Sequence, residues 1–191
     1  MAVVQGPVND GGRSGGGEEV VAFWRDAGPE RWFEKDPAFD ARFRRRFSDR
    51  HFQAAARALD DWAATAPGML ALLLLLDQFP RNVFRGTGHM YATDPLARWF
   101  ARSALAAGFD RLLEPELRLF VYLPFAHAED LALQDLSVEL NRRLGPEHEE
   151  HALRHRDIIR RFGRFPHRNP MLGRTTTADE AAFLAAGGFA G

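Results

Sequence analysis

Cysteine is missing from all 191 positions, so the chain holds no disulfide, no thiolate nucleophile and no cysteine metal site. This suits a reducing compartment, and a cytoplasmic location is expected. Lysine occurs once, as Lys35, so nearly all positive charge is arginine. A guanidinium cannot shed its charge on burial; one held among apolar groups must meet a carboxylate, a carbonyl or a bound anion. A basic excess is lacking as well. The 25 basic and 26 acidic residues leave a formal charge of −1, which argues against a surface devoted to nucleic acid. The longest apolar run, Met69 to Leu76, is far short of the ~20 residues a membrane span needs, so no membrane association is expected. No stretch keeps the two-residue alternation of a strand, and neither a nucleophile elbow nor a glycine-rich phosphate loop appears.

What remains is an apolar, helical pattern. With 46% apolar residues and sixteen phenylalanines the chain can bury one sizeable core. We expect one all-α domain, 18–186, of about eight helices in antiparallel pairs joined by short loops. Residues 1–17 hold six glycines and are expected to form a disordered tail, and 187–191 a second tail. Asp36-Pro37, Asp94-Pro95 and Glu114-Pro115 each read as an N-cap followed by proline in the first helical position. Phe39, Phe43 and Phe47 recur every four residues, and Ser48 or Asp49 is expected to cap a further helix running through Phe52 to Trp62. Met69 to Leu76 is apolar all round and should be central. Pro80 is expected to force Phe79 out of helical geometry, leaving Asp77 and Gln78 on the last turn. Pro124 should kink or divide the helix that opens at Pro115. Glu147 to Phe162 is the last long helix, with Gly163 just past its end, and Thr177 to Glu180 reads as a capping box.

The segment Arg154 to Arg174 concentrates the chemistry, because it holds seven arginines, His155, His167 and a single carboxylate, interleaved with Ile158, Ile159, Phe162 and Phe165. Its internal partners are expected among Asp77, Glu129 and Asp130. Two proline corners echo one another, Phe79-Pro80-Arg81-Asn82 and Phe165-Pro166-His167-Arg168-Asn169, each offering arginine and asparagine donors suited to phosphate or carboxylate oxygens. The expected site takes Asp77, Gln78, Arg81, Asn82 and Arg85 from the first region and His127 and Glu129 from the second. The tail adds His155, Arg164, His167, Arg168 and Asn169. Arg81, Arg164 and Arg168 are expected to approach Asp77 around a pocket for a small anionic metabolite. The same groups suit proton transfer, with His155, Asp77 and Glu129 as candidate catalytic residues. His151 and His155 have a zinc-like spacing that Glu129 or Asp130 could complete, yet no glutamate follows His151, and no metal or other cofactor is expected.

Phe23-Trp24, Trp32-Phe33 with Lys35-Asp36, Leu76 through Asn82, Tyr122 through Phe125 with His127 and Glu129-Asp130, and Arg161 through Asn169 together resemble the bacterial family called domain of unknown function 924. The resemblance spans about Val20 to Leu184, and His148 and His151 stand outside it. It implies a right-handed helical array similar to tetratricopeptide-repeat proteins, and such a fold would suit a protein or peptide partner. It supplies no catalytic roles.

Overall fold

Glycine brings the start of the chain onto its core. Residues 1–14 of the expected tail lie outside the described part of the computed structural model, which covers residues 15–189. Gly15 to Gly17 are not tail; they form the first turn of helix α1 (Gly15–Ala27). A Cβ on Gly16 would come within 2.8 Å of the Trp62 ring, so a residue without a side chain is what lets α1 lie this close. Val20, Val21 and Trp24 of α1 are buried, and the single turn α2 (Pro29–Trp32) docks Trp32 by donating its indole N–H to Trp24 O at 2.7 Å.

Helix α3 (Pro37–Ala55) starts as expected, with the Asp36 carboxylate accepting from the N–H groups of Ala38 and Phe39. Its stripe of Phe39, Phe43 and Phe47 is continued four residues on by His51, also buried. The expected break at Ser48 does not occur. Neither glycine nor proline interrupts the helix after Pro37, and Ser48 Oγ donates to Arg44 O at 2.6 Å in place of capping a new one. The helix ends about two turns later, just before Arg57, which takes a left-handed φ of 64° and pairs with Asp60.

Thr65 caps α4 (Ala66–Leu73), in which Leu70 to Leu73 are fully buried. The rod does not stop at Pro80. It passes through a π-helical turn, Leu74–Gln78, into α5 (Phe79–Val83), and Phe79 stays helical at φ −53°, ψ −51°. In that turn the Phe79 N–H reaches back to Leu74 O, so Leu75 O loses its α-register donor and Pro80, its π-register donor, has none. The Leu76 carbonyl faces Pro80 in the α register and is likewise short of a partner. Neighbouring helices repair both: His51 Nδ1 lies 2.8 Å from Leu75 O, and Thr93 Oγ1 donates to Leu76 O at 2.5 Å. Tertiary donors thus satisfy what the proline removes, and the local rule against helix before proline gives way.

The rod is enclosed by α1, α3, α6 (Asp94–Ala106) and α7 (Pro115–Ala126), which together form the main core. Pro124 sits inside the last turns of α7 without ending it. Beyond it, α8 (Leu131–Arg142), capped by Asp130, packs between α7 and α9 (Pro146–Phe162). Gly163 closes α9 at φ 71°, its N–H donating to Ile159 O at 2.8 Å. A 3₁₀ turn, Pro166–Arg168, and α10 (Ala178–Ala185), which opens on the expected capping box, complete the chain. Ten α-helical segments and no strand occur among the described residues, in agreement with an all-α domain. Of the expected second tail, residues 190–191 lie outside the described part, and Phe189 is packed rather than free, its ring 4.6 Å from that of His155 and 5.2 Å from that of His167.

Candidate functional site

The π turn delivers two polar side chains to a place where the rod is otherwise apolar. Asp77 is 1% exposed, and a lone carboxylate there would be costly. It is met on every side: Arg81 Nη1 at 3.0 Å, Gln78 Nε2 at 2.6 Å on Oδ2, and His127 Nδ1 at 2.8 Å on Oδ1. Burial alone would raise its pKa, but Arg81, His127 and Gln78 outweigh burial and hold it down at about 2. His127 follows the last turn of α7; burial and the Arg81 charge push its pKa below the ordinary 6.5, so the ring is neutral at pH 7.

Arg81 is fully engaged. Besides Asp77 it donates to the Asp77 carbonyl at 2.8 Å and grips Asp94 with both Nη groups at 2.9 and 3.1 Å. Asp94 therefore does not cap α6. Thr93 occupies the cap position, and Asp94, 5% exposed, turns inward as the shared counter-ion of Arg81 and Arg168. Arg168 is held more loosely. It is 6% exposed, with its guanidinium 4.6 Å from the Tyr91 ring and 4.5 Å from the Phe165 ring, and Nη1 reaches Asp94 at 3.4 Å. Its Nε–H is buried without a partner. The links His127–Asp77–Arg81–Asp94–Arg168 thus form one continuous polar chain between α7 and the Pro166 turn.

This chain borders a cavity of about 510 Å³. Its lining is part polar, from Gln78, Arg81, His127, His167 and Arg168, and part apolar, from Trp32, Phe33, Leu119, Leu123 and Ala126. Asn82 and Arg85 also line it, both tied to Asp40 of α3, at 2.9 and 3.2 Å. His148, His151 and His155 of α9 line it as well. His155 Nδ1 donates to His151 O at 2.9 Å, and burial pushes its pKa down to about 3. Burial and the Arg168 charge bring His167 to about 4.

Four expected site residues stand elsewhere or behind the wall. Asp77 does not line the cavity but backs His127. Glu129 is occupied by a bidentate pair with Arg174, at 2.9 and 2.7 Å, and by the Phe165 N–H at 2.9 Å; it fastens the Phe165 to Arg174 loop to the end of α7. Arg164 does not approach Asp77: its Nε and Nη2 pair with Glu180 at 2.6 and 2.9 Å, because Glu180 of the capping box lies nearer. Asn169, fully buried, donates to that same Glu180 at 3.2 Å. Glu129 and Glu180 are thus structural clamps, and Asp130 is a helix cap. Among the described residues no three His, Cys, Asp or Glu side chains gather at metal-binding spacing. His155 has given Nδ1 to a carbonyl and Glu129 is filled by Arg174, so the zinc-like set is not assembled.

The sequence reading missed Asp94, Tyr91 and the apolar lining of Trp32, Leu119 and Leu123. For Asp94 no local signal was available: Thr93 stands at the cap position but gives its hydroxyl to Leu76 O, and neither side chain caps α6. Trp32 and Leu123 stood in the motifs shared with the resembling family, with no hint of a cavity, and nothing marked Tyr91 or Leu119.

No helix among the described residues is long and apolar enough to cross a membrane. No curated protein matches the chain. It is similar to a solved structure, that of Protein of Unknown Function ATU0120 from Agrobacterium tumefaciens, at 56% identity over 89% of this chain and 97% of that one, with a TM-score of 0.87. A family model described as "Bacterial protein of unknown function (DUF924)" matches residues 20–188. The matched stretch takes in the rod, the π turn, both proline corners and every helix that borders the cavity, and the chain belongs to that family.

Proposed function

We propose that the cavity binds a small amphipathic molecule whose phosphate or carboxylate group meets Arg168. The observation that carries this reading is the incomplete pairing of that arginine: buried, clamped between two rings, and left with an Nε–H that no protein acceptor fills. A buried charged donor without a partner is costly, and a planar anion accepting from the guanidinium edge would remove that cost. Asp77 and Asp94 already balance Arg81 and Arg168, so the attraction comes from unfilled, oriented donors more than from net charge. The apolar part of the lining suits an alkyl or aromatic body, and about 510 Å³ lies within the range of small-molecule sites. Phe33, 60% exposed and stacked on Phe120 at 6.1 Å, favours a second reading in which the anion is the C-terminal carboxylate of a partner peptide.

Thermal-shift titrations with hexanoate, hexyl phosphate and neutral hexanol test the main reading. The two anions should raise the melting temperature and hexanol should not, and Arg168→Ala should abolish the shift. Equal shifts from hexanol, or full retention of the anion effect in Arg168→Ala, would move the ligand site elsewhere.

A further inference from the structure

The polar part of the cavity contains a pair that binding alone leaves unused. Asp77 is ionised and can only accept, so the 2.8 Å contact with His127 requires the imidazole to carry its proton on Nδ1. The neutral ring then keeps its lone pair on Nε2. His127 is part of the cavity wall, with 16% of its side chain exposed, and its free edge is the one open to a ligand. Arg81 and Gln78 hold the carboxylate from its other sides, so it cannot swing away from the ring. This is the arrangement in which a carboxylate fixes the tautomer and direction of a general base.

Building on the anion-binding reading above, we propose that His127 is a general base, positioned by Asp77, that hydrolyses an amphipathic ester whose anionic group Arg168 anchors. The base acts on water. A single neutral imidazole is too weak to remove a proton from an unactivated carbon at a useful rate, but it suits assistance to an attacking hydroxyl. In the step, the oxygen of water bonds to the ester carbonyl carbon or phosphorus while one of its protons passes to Nε2. The bond to the alcohol oxygen then breaks, and the imidazolium returns that proton to the departing alkoxide. The products are acid and alcohol, and the ring ends neutral, as it began. A bound anion offsets the Arg81 charge at the ring and lifts its basicity back towards neutral pH.

The test follows p-nitrophenolate release by the full chain from p-nitrophenyl phosphate and from a p-nitrophenyl ester with a carboxylate at the far end of a short alkyl chain. Tryptophan fluorescence reports binding of the same probes. Saturable release is expected from at least one, with kcat falling on acidification as the base is protonated. His127→Gln should lower kcat by at least about 100-fold with KM little changed. Asp77→Asn should lower kcat and displace the acid limb of its pH profile, which loss of a mere brace would not do. Probes that quench fluorescence yet are cleaved no faster than by His127→Gln would overturn the base while leaving the binding site standing. Absence of binding would remove both, and a flat pH profile of the parent protein overturns the base without recourse to any variant.

Discussion

The two ends of the molecule are held by opposite means. The amino-terminal half is an aromatic stack: Phe43 alone has ring neighbours Phe23, Trp24, Phe39, Phe47 and Phe79 at centroid distances of 5.0 to 5.8 Å. The carboxy-terminal segment, from the last turns of α9 onward, has only a small apolar cluster of Ile158, Ile159 and Phe165 with their fringe, and it is fastened by carboxylates: Asp94 to Arg168, Glu129 to Arg174, Glu180 to Arg164. Apolar burial is non-directional and sums over many contacts, while each ion pair fixes one geometry and fails as a unit when one partner is lost. A site needs the second property. The cavity lies where the two regimes meet, with Trp32, Phe33, Gln78 and Arg81 drawn from one, His167 and Arg168 from the other, and Leu119, Leu123 and His127 from α7 and its end between them.

The comparison breaks most visibly in the aromatic half. Phe43→Ala should cost about 3–5 kcal/mol in urea unfolding, the range for deleting a buried phenylalanine. A loss much smaller than this would mean that the stack repacks freely. On the ionic side, Asp77→Ala should destabilise by about 3 kcal/mol, because Arg81 is left buried with half its partners. A change within about 0.5 kcal/mol, typical of surface positions, would place that carboxylate outside the stabilising network.

Acid sharpens the contrast further. In the fold His155 stays uncharged down to about pH 3, whereas in the unfolded chain it takes up a proton near 6.5. The unfolded chain therefore binds more protons across that window, and stability should fall as pH drops from about 6.5 towards 3. Asp77 adds a second loss lower down, since its contribution is complete above 3.8 and disappears as pH falls through about 2. Urea midpoints measured against pH should show both slopes, and His155→Leu should flatten the upper one. The smallest effect belongs to exposed pairs such as Arg143 with Glu139, 51% and 60% exposed. Glu139→Gln should leave the midpoint where it was, since such pairs contribute little in water.

Much of the fold was legible because it rests on local chemistry. Asp36, Thr177 and Gly163 announce helix ends through side-chain oxygens and a left-handed φ, and the leucine rod announces its own burial. What escaped rests on partners distant in sequence. The helix through Pro80 survives because His51 and Thr93, from two other helices, accept the task of feeding its bare carbonyls. Asp94 looked like one more cap beside proline, and only the folded chain brings Arg81 and Arg168 to it. Arginine-rich composition pointed to a shared polar site but could not say which guanidinium goes where: Arg164, two residues before Pro166 and four before Arg168, chose a different acid.

The widened turn at Leu74–Gln78 makes the count of residues in the central rod matter as much as their identity. A regular helix advances roughly 100° with each residue, so excising one leucine would tighten the coil and spin everything beyond it by about that angle. Arg81 would swing off Asp94 and the His51 and Thr93 donors would no longer meet the carbonyls they now serve, all without altering a single polar side chain. The length of the leucine run is thus a phase setting, and a one-residue indel there should be as damaging as loss of the groups it aims.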